Sequence, residues 1–177
     1  MLKNSDELNG MREAGKLAAE VLEMITDYVK PGISTGELDE ICFKYITDVQ
    51  KAIPANVGYR GFKKTLCTSI NQVICHGIPD TNRILKSGDI MNIDVTVIKD
   101  GWHGDTSKMF LIGKAQSHNE RLVRVTQECL YKGIEAAKPG ARLGDIGNAI
   151  QIHAEKNYYS VAVSYTHLRA HETCETL

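Results

Sequence analysis

The sequence predicts an α+β protein built from two related halves, each opening with a pair of helices and leading into a sheet, with the second half cut short. Three observations predict it. Helical apolar periodicity fills the first fifty residues and returns after Ser117, with alternating β-branched segments between. The joint Lys30-Pro31-Gly32 followed by Gly36-Glu37-Leu38 recurs as Lys138-Pro139-Gly140 followed by Gly144-Asp145-Ile146, 108 residues later (30 to 138). The first helix pair is followed by about sixty residues of sheet, Ala52 to Gly113, whereas the second pair, ending near Asn157, has about twenty residues after it, too few for a second sheet of that size.

Each element has its own signal. Leu8, Met11, Ala18, Val21, Leu22, Ile25 and Val29 recur at spacings of three and four, with Ser5 available as cap and Pro31-Gly32 as stop. Ser34 with Glu37 forms a capping box for a second helix carrying Leu38, Ile41, Tyr45, Ile46 and Val49 on one face. Thr65 to Cys75 and Asp89 to Ile98 alternate as strands, and Trp102 to Ile112 follows directly after the turn pair Asp100-Gly101, so this region is an antiparallel sheet. Ser117 and Glu120 form a further capping box, followed by the stripe Leu122, Val125, Cys129, Leu130, Ile134 and Ala137 up to Pro139-Gly140.

Composition narrows the function. With 177 residues, 42% hydrophobic and 24% charged, the chain reads as a single soluble globular domain. Its 21 basic and 22 acidic side chains nearly cancel, which excludes nucleic-acid binding driven by bulk charge. No stretch approaches the ~20 apolar residues of a membrane span, and Met1 to Asn9 lacks the apolar core of a signal peptide, so a cytoplasmic location is expected. Cys42, Cys67, Cys75, Cys129 and Cys174 show no CxxC spacing and are expected to be reduced thiols.

The chemistry concentrates in the hairpin. Met91, Ile93, Val95 and Val97 share one face, and Asn92, Asp94 and Thr96 the other. If Asp100-Gly101 is a two-residue loop, opposing residue numbers sum to 201, so Thr96 opposes Asp105 and Asp94 opposes Ser107. Asp94 and Asp105 are then diagonal neighbours on one face, with backbones roughly 7 to 8 Å apart. The same spacing fits two solvated acids on the outer face of an ordinary hairpin. The setting favours ions: Asp94 sits among long apolar side chains in a run that looks buried on both sides, where an unpaired carboxylate is costly. One divalent cation, or two ~3.5 to 4 Å apart, would compensate the pair and activate a water. His76, beside Gly77 and Pro79 at a strand end, is on its own more readily a loop residue than a functional one.

Three segments carry a resemblance: Asn71 to Pro79 (NQVICHGIP), Gly88 to Thr96 (GDIMNIDVT) and Gly101 to Phe110 (GWHGDTSKMF). They closely resemble type I methionine aminopeptidases of bacterial kind, and the likeness runs from Leu8 to about Val161. That family's pita-bread fold has two pseudo-symmetric α+β halves, in agreement with the repeat. The resemblance implies a metalloaminopeptidase that removes the initiator Met from nascent chains with a small second residue, through a water activated by two divalent ions (Co, Mn, Fe or Zn). It places Asp94 and Asp105 as metal-bridging ligands and His76 as the catalytic residue beside the scissile peptide. Tyr59, Phe62 and Cys67 would line the Met pocket, and the backbone carbonyls of Asn71 and Val73 would hold a structural monovalent cation. Phe62 departs from the frequent Tyr of the family, and Asn56 stands where a Cys is often found. The implied partners are nascent polypeptides with N-terminal Met at the ribosome, with no membrane, no direct nucleic-acid contact and a monomeric state.

The family's remaining ligands, one His and two Glu, belong to the second half, and none of their motifs appears here. Residues 1–161 are therefore expected to form an incomplete catalytic domain. Val163 to Thr173 resembles a translated mosaic-end adapter, so 162–177 is expected to be a non-native read-through tail, and the i, i+4 pair His167 and His171, with Glu172, is not counted as a ligand set. The chain as given is expected to be an inactive fragment. Two other readings are a non-catalytic binding protein on the same fold, which retention of Asp94, Asp105 and His76 disfavours, and a proline-directed or creatine-hydrolysing relative, which the short segment before Leu8 disfavours.

Overall fold

The computed structural model describes residues 4–162 and divides into two compact units between Ala115 and Gln116. The first begins with α1 (Ser5–Ile25). Its cap is Asn4, whose Oδ1 accepts from the Glu7 N–H at 2.9 Å, one residue before the expected Ser5. Both residue types can cap, and Asn4 holds the extended backbone a cap needs while Ser5 is already helical. The helix stops at Ile25, and Val29 reaches the core from the turn that follows rather than from the helix.

The expected capping box starts α2 (Thr35–Lys44): Ser34 Oγ accepts from the Glu37 N–H at 3.1 Å, and the Ser34 N–H donates to Glu37 Oε2 at 2.9 Å. Beyond Lys44 the coil widens into a π-turn over Tyr45–Val49. That turn keeps Ile46 buried but carries Val49, expected to face inward, into solvent at 65% exposure. It also delivers Gln50, whose Nε2 donates to the Leu17 carbonyl of α1 at 2.8 Å.

Four strands form one antiparallel sheet around β3 (Ile90–Lys99). One edge of β3 pairs along its whole length with β4 (Trp102–Leu111); the other is shared by β1 (Ile53–Pro54) and β2 (Leu66–Ile70). Every β3–β4 pair sums to 201, from Lys99 with Trp102 to Ile90 with Leu111, as the two-residue turn requires. Asp100 and Gly101 have φ of 50° and 84°, the positive pair of a type I′ turn. Strand β2 is shorter than the expected Thr65 to Cys75. At Asn71 the backbone turns left-handed (φ 53°), and the side chain closes the strand end, accepting from the Ile90 N–H at 3.0 Å and donating to Asp89 Oδ1 at 2.8 Å.

Leu66, Ile70, Met91, Ile93, Val95 and Val97 bury one sheet face against α1 and α2, around Val21, Ile25, Leu38 and Ile46. The start of β2 is tied to α2 by Asp39, whose Oδ1 accepts from the N–H groups of Thr65 (2.7 Å) and Leu66 (3.2 Å). Helix α1 touches the sheet backbone to backbone at Gly104, where a Cβ would overlap the Ala14 carbonyl.

The second unit pairs α3 (Ser117–Ala136) with α4 (Leu143–Lys156). Its expected capping box does not form. Ser117 is already helical, and Gln116 serves as cap residue through its carbonyl, which accepts from the Asn119 and Glu120 N–H groups. The joint between the helices repeats the first joint. Gly32 and Gly140 share a positive φ (97° and 90°), and the Arg142 N–H donates to Asp145 Oδ2 at 2.8 Å as the Ser34 N–H does to Glu37. The core of this unit is small: Val125, Cys129 and Ala154, with Ile150 and Tyr159 against them. Leu22 of α1 is 5% exposed, whereas its counterpart 108 residues on, Leu130, is 58% exposed. No helix among the described residues is long and apolar enough to cross a membrane.

Two glycines of the first unit should respond oppositely to a methyl group. Gly104→Ala forces α1 off the sheet and should cost about 1–3 kcal/mol. Gly15→Ala, on α1 with nothing near its Cβ position, should gain up to about 1 kcal/mol from helix propensity. Urea unfolding midpoints of the two variants check both signs.

Candidate metal centre

The register fixes which side chains share the face opposite the helices. Asp94 lies between Cys67 on β2 and Ser107 on β4, and the next row toward the turn pairs Thr96 with Asp105. The row on the other side is Ser69, Asn92 and Met109. Asp94 and Asp105 are the expected diagonal pair, and their side chains are in hydrogen-bond contact. Such a contact needs the proton that Asp94 carries when it is neutral. The Asp94 carboxyl is accordingly pushed up to about 6, first by burial, then by the charge of Asp105 and the bond to it.

The expectation that the β3 run is buried on both sides is corrected here. Met91, Ile93, Val95 and Val97 are buried, but Asn92, Asp94 and Thr96 are only half-buried and Asp105 is exposed. The face carrying the acids is open enough to admit a ligand, while the other is sealed by α1. Cys67 directly against Asp94 was not legible before the β2–β3 register was known, since β2 reaches β3 through an irregular connection rather than a tight turn.

His76 is held differently. Its backbone is left-handed (φ 54°), a region uncommon for non-glycine residues but one that histidine enters more readily than most. The next residue is clamped on the free edge of β2: the Thr68 N–H donates to the Gly77 carbonyl at 2.7 Å, and the Gly77 N–H donates to Ser69 Oγ at 3.1 Å. Thr68 pairs with Ile93, so Gly77 lies level with the Asp94 region and two strand spacings, ~10 Å, from β3.

The expected pocket residues are placed unevenly. Cys67 is buried, Phe62 half-buried and Tyr59 exposed, with Tyr59 and Phe62 at the two ends of a tight turn closed by the Phe62 N–H to the Tyr59 carbonyl at 3.0 Å. A recess of about 280 Å³ lined by Asp39, Phe43, Val57, Lys63 and Thr65 shares none of these residues. Val73 lies in the turn after β2, its N–H on the Ile70 carbonyl at 3.0 Å, next to Asn71. His167, His171 and Glu172 lie outside the described residues.

An oxygen pair of this kind suits a hard divalent cation, which would take the place of the Asp94 proton. The two carboxylates would not complete its shell. Among the described residues no group of three or more His, Cys, Asp or Glu side chains comes together to hold an ion.

The half-fold belongs to a known class: the chain is a member of metallopeptidase family M24, which it matches over residues 9–174. Within that family it is similar to the methionine aminopeptidase of Salmonella typhimurium, 60% identical over 93% of this chain and 62% of the relative, and to that of Escherichia coli K12, 57% identical over the same shares. The crystal structure of methionine aminopeptidase from Rickettsia prowazekii superposes with a TM-score of 0.88 at 53% identity, over 91% of this chain and 64% of the other. The chain thus spans about three-fifths of the length of these relatives.

The acid pair should leave a mark on stability. Folding raises the Asp94 pKa from about 4 to about 6, so the folded chain prefers the protonated form. That contribution is whole below about pH 4 and is lost as pH rises through about 6. Asp94→Asn should therefore stabilise the metal-free chain at pH 7 by about 1 kcal/mol, after allowing for screening at a partly open face, and have little effect at pH 4. Urea titrations at the two pH values measure it.

Proposed function

We propose that this chain carries the N-terminal catalytic portion of an enzyme that removes Met from the amino terminus of nascent polypeptides whose second residue is small. The observation that carries the reading is the Asp94–Asp105 pair, two carboxylates in contact on the open face of the sheet, and the similarity to methionine aminopeptidases supports it. Asp94 and Asp105 would hold two divalent ions, Co, Mn, Fe or Zn, between them. When bound, those ions would supply a Lewis acid for the scissile carbonyl and a lowered pKa for the attacking water.

The protein's own groups do the rest. The Asp94 and Asp105 carboxylates would hold the ions, with their opposite neighbours Ser107 and Thr96 bordering them across the ladder. His76 would hydrogen-bond the substrate at the scissile peptide and stabilise the tetrahedral oxygen. Cys67, against Asp94, with Phe62 and Tyr59 would offer the Met thioether a dry surface. Asn71 and Val73 would contribute backbone carbonyls to a monovalent cation at the end of β2. The whole enzyme would act as a cytoplasmic monomer at the ribosome, and 162–177 would stand outside its catalytic domain.

Release of Met from a Met-Ala-Ser peptide tests the reading. Residues 1–161 continued by the C-terminal portion of a methionine aminopeptidase relative should cleave it. In that chimera Asp94→Asn or Asp105→Asn should lower the rate by more than about 100-fold, beyond what changes to a ligand's hydrogen-bond partners cost. His76→Ala should reduce turnover per bound ion and leave metal content nearly unchanged. The 177-residue chain alone should bind metal weakly and release no Met. Robust release by it would overturn this ligand assignment.

A further inference from the structure

Resting on the reading above, we infer that Ser69 is a positioning residue for His76: its hydroxyl, buried on the same sheet face as the acid pair, holds the Gly77 N–H and thereby fixes where the histidine sits relative to Asp94. Three independent features lead there. Ser69 is 4% exposed, two residues from Cys67 on the face that carries Asp94, and opposite Asn92 in the adjoining row. A serine buried there needs a polar partner, and the one it holds is the Gly77 N–H at 3.1 Å.

The second feature is the clamp's rigidity. Gly77 is gripped on both of its backbone polar groups, the carbonyl by the Thr68 N–H at 2.7 Å and the N–H by Ser69 Oγ. A Cβ at Gly77 would overlap the Thr68 carbonyl, so the segment lies flat on the edge of β2 and only glycine fits. The third is the backbone of His76, left-handed at φ 54° and immediately before the clamp. An unfavourable conformation of a non-glycine residue persists only where its neighbours over-determine it. Thr68 holds the strand edge to Gly77 without reference to the acid face. Ser69 alone among these partners ties the segment to the face where substrate would lie.

The test uses the labelled 177-residue chain with Mn²⁺ as the probe, because fast exchange of a weakly held paramagnetic ion still broadens nearby nuclei. In the unsubstituted chain Mn²⁺ should broaden the Ser107 amide and the His76 imidazole Cε1–H, and the Gly77 amide should be protected from hydrogen exchange. Ser69→Ala should reduce the His76 broadening severalfold and expose the Gly77 amide while Ser107 broadening stays the same. Ser69→Thr, which keeps the hydroxyl, should restore both. A merely structural serine would change the melting temperature without this selective loss. Unchanged His76 broadening in Ser69→Ala, with Ser107 still broadened, overturns the positioning role alone. A Gly77 amide that exchanges freely in the unsubstituted chain overturns it without any variant. Absence of broadening at both Ser107 and His76 overturns the metal assignment and this inference with it.

Discussion

The pairing of β3 with β4 through the two-residue turn at Asp100-Gly101 is the constraint on which the site depends. Side chains alternate along a strand, so a loop one residue longer would send Asp105 to the helix side of the sheet and leave Asp94 alone. The positive φ of both turn residues suits the right-handed twist of the strands and holds the register. From that register follow the acid pair, the apolar row that packs on α1, and the position of Gly104, where the helix backbone reaches the strand. Two faces of one hairpin thus serve opposite ends, one sealing the core and one gathering charge.

The acid pair works against the stability of the chain that makes it. Burial and the adjacent charge hold a proton on Asp94 to about pH 6, a state that a cation would replace. Groups kept in a costly arrangement by a rigid scaffold are characteristic of functional positions, and here the scaffold is a fully paired central strand. His76 is left-handed as well, immediately before the clamp at Gly77.

The repeat is structural as well as textual. The two helix joints agree in the positive φ of Gly32 and Gly140 and in the backbone N–H to carboxylate bond that opens α2 and α4. They differ in what the helices cover. Leu22 finds the sheet, whereas Leu130 and Ile134 are each 58% exposed around a core of three buried residues. Helix pairs with one local design therefore end in different environments, because burial depends on the layer packed against a stripe and not on the stripe.

By itself the sequence determined the α+β class, the helix pairs and their shared joint, the β3–β4 register and the shared face of Asp94 and Asp105. These rest on local chemistry: apolar period, Pro-Gly stops, a capping box and a two-residue turn that allows one register. It misplaced what several weak local signals could decide either way, namely Asn4 over Ser5, Gln116 over the Ser117 box, and the end of β2 at Ile70 where Asn71 turns the chain. The π-turn that expels Val49 has no periodic signature at all. Only the tertiary structure decided that Cys67 faces Asp94, that Gly77 is clamped to Thr68 and Ser69, and that Gly104 meets Ala14. Those contacts join segments through irregular connections or across layers, where the pairing is chosen by the packing of the whole core and no short stretch of residues encodes it.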